Sequence, residues 1–199
     1  MSKSTLDILD SINLAYTEYQ NIKPIEVRLK EYTSNFFLDN QSWDTFRAEL
    51  DEVNFNWNEL KYSDVATRQL QISNVVPDTT GVYLFIIKPS QLIFELPKYV
   101  FYVGIAGAMR GGVAGNRTLR SRLPDYFALS HLKKRSTVHL MINKHYANIH
   151  IAFSPINLPD GKTLEDIEKS LIGYFGTHIL ANKDDIPVAL KTVAKAFNI

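Results

Sequence analysis

The chain has 199 residues, 45% hydrophobic and 12% aromatic, which is enough for one well-packed domain with an appended helical region. Charged residues at 22% and 17 Gly plus Pro exclude disordered, collagen-like and low-complexity classes, and the absence of cysteine excludes disulfides, iron–sulfur clusters, thiolate zinc and a cysteine nucleophile. The net charge of +1 hides a division, because residues 1–75 hold 7 basic against 12 acidic side chains and residues 76–199 hold 15 against 9.

In chain order, Ser4 can cap a helix in which Leu6, Leu9, Ile12, Leu14 and Tyr16 recur at near-helical spacing. Asp7 and the lack of an apolar core argue against a signal peptide, and no apolar run reaches the ~18–20 residues of a membrane span. Pro24 can begin a second helix with Val27, Leu29 and Tyr32 on its apolar face. Ser42 can cap a third, in which Trp43, Phe46 and Leu50 recur every three or four residues. Residues 54–64 show no period and read as a connection that packs against the domain. The whole of 1–75 is thus expected to be a helical region.

Character changes at Val76-Pro77-Asp78, a turn signal followed by a buried strand over 82–87. A second strand is expected over 99–103, ending in Gly104. Residues 104–116 hold five glycines, and a helix is expected over 117–131. Residues 136–145 are open between helix and strand, 149–153 reads as a strand and 155–161 as a turn. An amphipathic helix is expected over 164–179, with Leu164, Ile167, Leu171, Ile172 and Phe175 on one face, and a last helix is expected over 187–197.

Positive charge is concentrated between residues 110 and 144. Arg110, Arg117, Arg120, Arg122, Lys133, Lys134, Arg135 and Lys144 face a single acid there, Asp125. Such a surplus is the footprint of a phosphate-binding surface, although a solvated basic face has the same composition. The glycine loop follows a strand and precedes a helix, yet it matches neither dinucleotide nor P-loop spacing. His131, His139, His145, His150 and His178 lack zinc-ligand spacing and read as structural or phosphate-contacting, and no G-x-S-x-G supports serine hydrolysis.

The sharper pattern is Gly81-Val82-Tyr83 on the first strand and Tyr102-Val103-Gly104 at the end of the second. In hairpin order the two tripeptides resemble the GIY-YIG nuclease family. Arg122-Leu123, with Tyr126 four residues after the arginine, is similar to that family's arginine helix. Glu168 followed by Leu171-Ile172, and then Asn182, resembles its glutamate helix and asparagine. The resemblance covers about 100 of the 199 residues. Tyr83 and Tyr102 lie 19 apart and Tyr102 and Arg122 lie 20 apart, so both connections are enlarged, as in the family's standalone type II restriction endonucleases. No proline precedes Asn182, so its place in the pattern is the loosest.

The resemblance implies an α+β fold with a small, mostly antiparallel sheet flanked by helices: a helical extension over 1–75, a nuclease domain over 76–184 and a C-terminal helix over 185–199. It also implies hydrolysis of DNA phosphodiesters with one Mg²⁺ or Mn²⁺ per active site, held by Glu168. Arg122 would neutralise the phosphate. Tyr83 would be general base or would orient the water, with Tyr102 and Tyr126 completing the hydrogen bonding and Asn182 holding the glutamate or the helix packing. An ordinary tyrosine, with a pKa of ~10, is a weak base, so that role needs a lowered pKa at Tyr83. Arg110, Arg117, Arg120, Lys133, Lys134, Arg135 and Lys144 would contact DNA.

Each residue also has a plainer reading. Tyr83 and Tyr102 can be core tyrosines, Arg122 can pair with Asp125, Glu168 can be a solvated helix residue, and Asn182 can cap a helix. The expected protein is cytoplasmic, makes no membrane contact and acts on DNA, and a palindromic target would require a homodimer. A structure-specific nuclease and a non-cleaving binding module on the same fold are the rival expectations.

Overall fold

The computed structural model describes residues 40–88, 98–107, 109–110, 113–132 and 134–176. The helices expected before residue 40, the helix over 187–197 and Asn182 lie outside the described residues, as does Lys133. Helix α1 spans Asn40–Asp51, strand β1 Asn58–Lys61, and short helices α2 and α3 Tyr62–Ala66 and Ile72–Val75. Strands β2 and β3 span Gly81–Ile87 and Tyr99–Ala106, and a two-residue pair, β4 Met109–Arg110 with β5 Val113–Ala114, lies within the glycine loop. Helix α4 (Leu119–Arg122), a 3₁₀ turn at Leu123–Phe127, α5 (Leu129–Leu132), α6 (Ser136–Lys144), β6 (Ile149–Pro155) and α7 (Leu164–Phe175) complete the order.

Four strands form one antiparallel sheet in the order β1-β6-β2-β3, with helices on both faces: an α+β architecture. All seven residues of β2 are buried, which is why Gly81-Val82-Tyr83-Leu84-Phe85-Ile86-Ile87 reads as an unbroken apolar run. Tyr83, Phe85 and Ile87 join one core with Phe101, Leu119, Leu123, Tyr126 and Ile142. Val82, Leu84 and Ile86 join the other with Leu50, Leu164, Ile167, Leu171 and Ile172. Among the described residues no helix is long and apolar enough to cross a membrane.

Several expectations need correction. Residues 54–64 contain a strand, β1, whose Leu60 faces Ile151 of β6 and is buried. With one buried residue in four, β1 gives too little alternation to be recognised. The helical character expected of 1–75 is therefore interrupted by a strand of the central sheet, and α1 packs directly on α7. Asn40 is already helical, so Ser42 lies within α1 and not at its cap. Strand β3 runs past Gly104 to Ala106, which faces Gly81.

The helix expected over 117–131 breaks into α4, the 3₁₀ turn and α5. Pro124 cannot donate the backbone bond that would continue α4, and the chain tightens there. Residues 136–145 resolve as helix α6, with Val138 and Ile142 in the core. The last amphipathic helix stops at Phe175 because Gly176 adopts a left-handed conformation, φ 65°, the ordinary end of a helix.

Candidate active site

Tyr83 stands opposite Gly104 across the β2–β3 ladder. A Cβ on Gly104 would lie 2.4 Å from Cζ of Tyr83, so glycine is required where the phenol ring lies across β3. Further into the hairpin, between Phe85 and Ile86, the register shifts: Phe85 faces Tyr102 and Ile86 faces Val100. This bulge leaves Phe101 as an extra residue and turns both Phe101 and Tyr102 towards the same core as Tyr83. The irregularity thus brings the second tyrosine beside the first.

Across that face lies the α4–3₁₀ segment. Thr118 caps α4 in a reciprocal box with Ser121, and the Leu119 amide donates to the carbonyl of Thr79, tying the segment to the start of β2. Arg122 and Tyr126 then point into one array. Arg122 Nε donates to the Tyr83 hydroxyl at 3.2 Å, Tyr83 and Tyr126 hydroxyls meet at 2.8 Å, and the Tyr126 hydroxyl donates to that of Tyr102 at 3.0 Å. Each phenol has one proton. Since Tyr126 gives its proton to Tyr102, Tyr83 must be the donor to Tyr126. The array therefore runs from Arg122 through Tyr83 and Tyr126 to Tyr102, and leaves the Tyr102 proton for a group outside it.

Exposure follows the same direction. Tyr83 and Tyr126 are 0% exposed, whereas Tyr102 is half-buried. Tyr62 fixes the array from behind: its hydroxyl donates to the Tyr126 carbonyl at 2.7 Å and its ring stacks on Phe127. Burial pushes the hydroxyl of Tyr102 well above the ordinary tyrosine range, with Tyr83 and the charge of Glu168 adding to the effect. Burial, then Tyr83 and Tyr102, raise Tyr126 as well. Burial works against the charge of Arg122, but the tyrosine oxygens of Tyr83, Tyr126 and Tyr102 outweigh it and keep the guanidinium cationic.

Glu168 sits half-buried on the flank of α7, one turn beyond the buried Leu164, where α7 packs on β3. Its carboxylate is the acid whose field reaches Tyr102. Tyr83, Tyr102, Arg122 and Tyr126, taken from β2, β3, α4 and the 3₁₀ turn, thus converge, and the charge of Glu168 on α7 reaches Tyr102.

The basic residues divide. Arg117 holds Asp125 with two bonds of 2.9 Å, and Arg122 Nη1 reaches the same carboxylate at 2.9 Å. Arg135 Nη2 lies 3.9 Å and His131 Nδ1 3.7 Å from it. Burial tends to raise the pKa of Asp125, but Arg117 first, then Arg122 and His131, hold it below the ordinary carboxylate range. Arg120 is spent on the Val76 carbonyl at 2.9 Å. Lys134 and Lys144 are exposed, and Arg110 lies in β4. The hub role of Asp125 was signalled by its being the one acid among eight basic residues; the anchoring role of Tyr62 had no local signal.

Compared with family models, curated proteins and solved structures, the chain matches none.

Proposed function

We propose that the protein is a metal-dependent endonuclease of the GIY-YIG type that hydrolyses DNA phosphodiester bonds. The observation that carries this reading is the single hydrogen-bonded array joining Tyr83, Tyr102, Tyr126 and Arg122, with the charge of Glu168 acting on its outer end. A fixed cation, a directed hydroxyl proton and a carboxylate whose field reaches it are groups that in-line phosphodiester hydrolysis uses.

Arg122 neutralises the charge that grows on the non-bridging oxygens, and its link to Tyr83 and Asp125 sets its orientation in advance. Tyr102 is the member that meets substrate: its outward proton orients the attacking water or a phosphate oxygen. Tyr83, enclosed between Arg122, Tyr126 and Gly104, keeps the array in register from within.

Among the described residues no group of three or more His, Asp or Glu converges on a metal position. Glu168, a single hard carboxylate, would hold an ion that keeps most of its waters, as Mg²⁺ does and, with the same hard oxygen ligands, Mn²⁺. When bound, such an ion supplies Lewis-acid charge to the phosphate and the leaving oxygen.

The test is incubation of supercoiled plasmid and phage DNA with the protein in Mg²⁺ or Mn²⁺, with Glu168→Ala alongside. Cleavage by the wild type that falls at least a hundredfold in Glu168→Ala is expected, and discrete fragments would mark a restriction-type enzyme. Equal cleavage by both proteins, or none by either on linear, branched and RNA substrates, would remove the reading.

A further inference from the structure

Three guanidiniums converge on the Oδ2 atom of Asp125: Arg117 and Arg122 at 2.9 Å and Arg135 at 3.9 Å. The carboxylate offers one negative charge against three positive ones. Arg117 takes both of its oxygens in a bidentate pair, the strongest arrangement available to it, and also donates to the Ser121 carbonyl at 3.0 Å. Asp125 is thereby neutralised by a dedicated partner. The charges of Arg122 and Arg135 remain, and both lie against one ring, with their guanidinium carbons 5.9 Å and 4.9 Å from the centroid of Tyr126.

Arg135 is not a casual surface cation. Its Nη1 donates to the His131 carbonyl at 3.3 Å, its guanidinium carbon lies over the Tyr126 ring, and its side chain is largely buried. It is held in place while its contact with the acid is long, 3.9 Å. A guanidinium anchored by its face and one edge keeps its remaining donors for a planar or tetrahedral anion. His131, 46% exposed and 3.7 Å from the other oxygen of Asp125, stands at the rim of the same cluster.

We propose that Arg135, with His131 at its rim, forms a second phosphate subsite beside Arg122, and that it takes a backbone phosphate of the nucleic acid neighbouring the one Arg122 holds. Both guanidiniums lie against the Tyr126 ring, and their shared approach to Asp125 Oδ2 keeps them close together. This subsite rests on the nuclease reading for the source of the phosphate, not for its existence. It also separates the basic stretch by role: Arg135 binds, Arg117 neutralises Asp125, and Arg120 fastens the backbone at Val76.

Duplex DNA binding measured by fluorescence anisotropy in EDTA, over a series of salt concentrations, tests the subsite without cleavage. Each phosphate contact contributes about −0.9 to the slope of log affinity against log salt. Arg135→Gln is expected to reduce that slope by about this amount and to weaken binding severalfold at moderate salt. Arg135→Lys should restore most of the slope, and Arg47→Gln, on the exposed side of α1, should leave it unchanged. Should Arg135→Gln lower the melting temperature, Arg135→Met, which keeps an apolar stem on the Tyr126 ring, carries the comparison.

An unchanged slope in a folded Arg135 variant overturns the subsite, even if the wild type cuts DNA. A reduced slope in a protein that never cuts DNA supports the subsite and removes the nuclease reading. Stabilisation of the wild type by inorganic phosphate, lost in Arg135→Met with no change in salt slope, would mark a free-anion site and overturn the assignment to backbone phosphate.

Discussion

At the scale of single residues, Gly104 decides whether Tyr83 can take its place. An added methyl would stand 2.4 Å from the ring, and Tyr83, fully enclosed, has nowhere to move. Gly104→Ala is expected to cost about 1–3 kcal/mol of stability, the ordinary range for overpacking. Because the displaced ring breaks the array, it should also reduce cleavage by more than Tyr83→Phe, which keeps the ring. Denaturant unfolding and a plasmid assay on both variants check this. Asp125→Asn acts differently: it removes a charged acceptor of three arginine hydrogen bonds and is expected to cost about 1.5–3 kcal/mol. Since the folded pKa of Asp125 is depressed, its contribution is fully present above its unfolded value of 3.8 and lost as pH falls below it. The wild type should therefore lose stability on acidification below about pH 4 more steeply than Asp125→Asn, as read by urea midpoints.

At the scale of elements, α1 and α7 are fastened as a pair. Gly173 admits the ring of Phe46, since a Cβ there would lie 2.4 Å from Cε2, and Trp43 stacks on Tyr174 at 5.1 Å. The Ser170 hydroxyl donates to the Glu49 carboxylate, and Lys162 Nζ donates to the Glu49 carbonyl at 2.9 Å. This packing holds α7, the helix that carries Glu168, against the rest of the domain. Gly173→Ala should therefore separate the helices and lower metal-dependent cleavage, and restoring space with Phe46→Leu should recover part of both losses, a coupling read by a double-mutant cycle. Thr163 caps α7 in a reciprocal box with Asp166, so Thr163→Ala is expected to cost about 1 kcal/mol, checked by thermal melting. These elements were unevenly legible. Helix α7 and strand β2 carry patterns strong enough to be read directly. Strand β1 is too short and too exposed, and the break at Pro124 competed with a helical pattern that continued on either side of it.

At the scale of the whole molecule, the sheet separates two cores, and the tyrosine array belongs to the one closed by α4, the 3₁₀ turn and α6. Tyr62, Tyr102 and Tyr126 are all raised above their ordinary value of 10.0, chiefly by burial. Raised phenols bind protons more tightly folded than unfolded, so their contribution stands below pH 10 and is lost as pH rises beyond it. The protein is expected to unfold cooperatively in alkali, with the buried tyrosines ionising only as the fold opens. Absorbance at the tyrosinate band, followed together with circular dichroism, should show the two changes coinciding.

By itself the sequence determined an α+β chain with a deeply buried hairpin strand, a long amphipathic helix and a basic surplus around one acid. Those features are local: apolar periodicity, turn chemistry and composition need no knowledge of distant neighbours. It also named the residues of the array, because their order and spacing resemble a nuclease family. Only the tertiary structure decided how they act on one another. The bulge that turns Tyr102 beside Tyr83, the direction of the hydrogen bonds, the anchoring of Tyr126 by Tyr62 and the division of arginines around Asp125 all join residues from different elements. Such contacts are chosen by packing and by the need to satisfy every buried polar group, and these depend on segments that meet only in the folded chain.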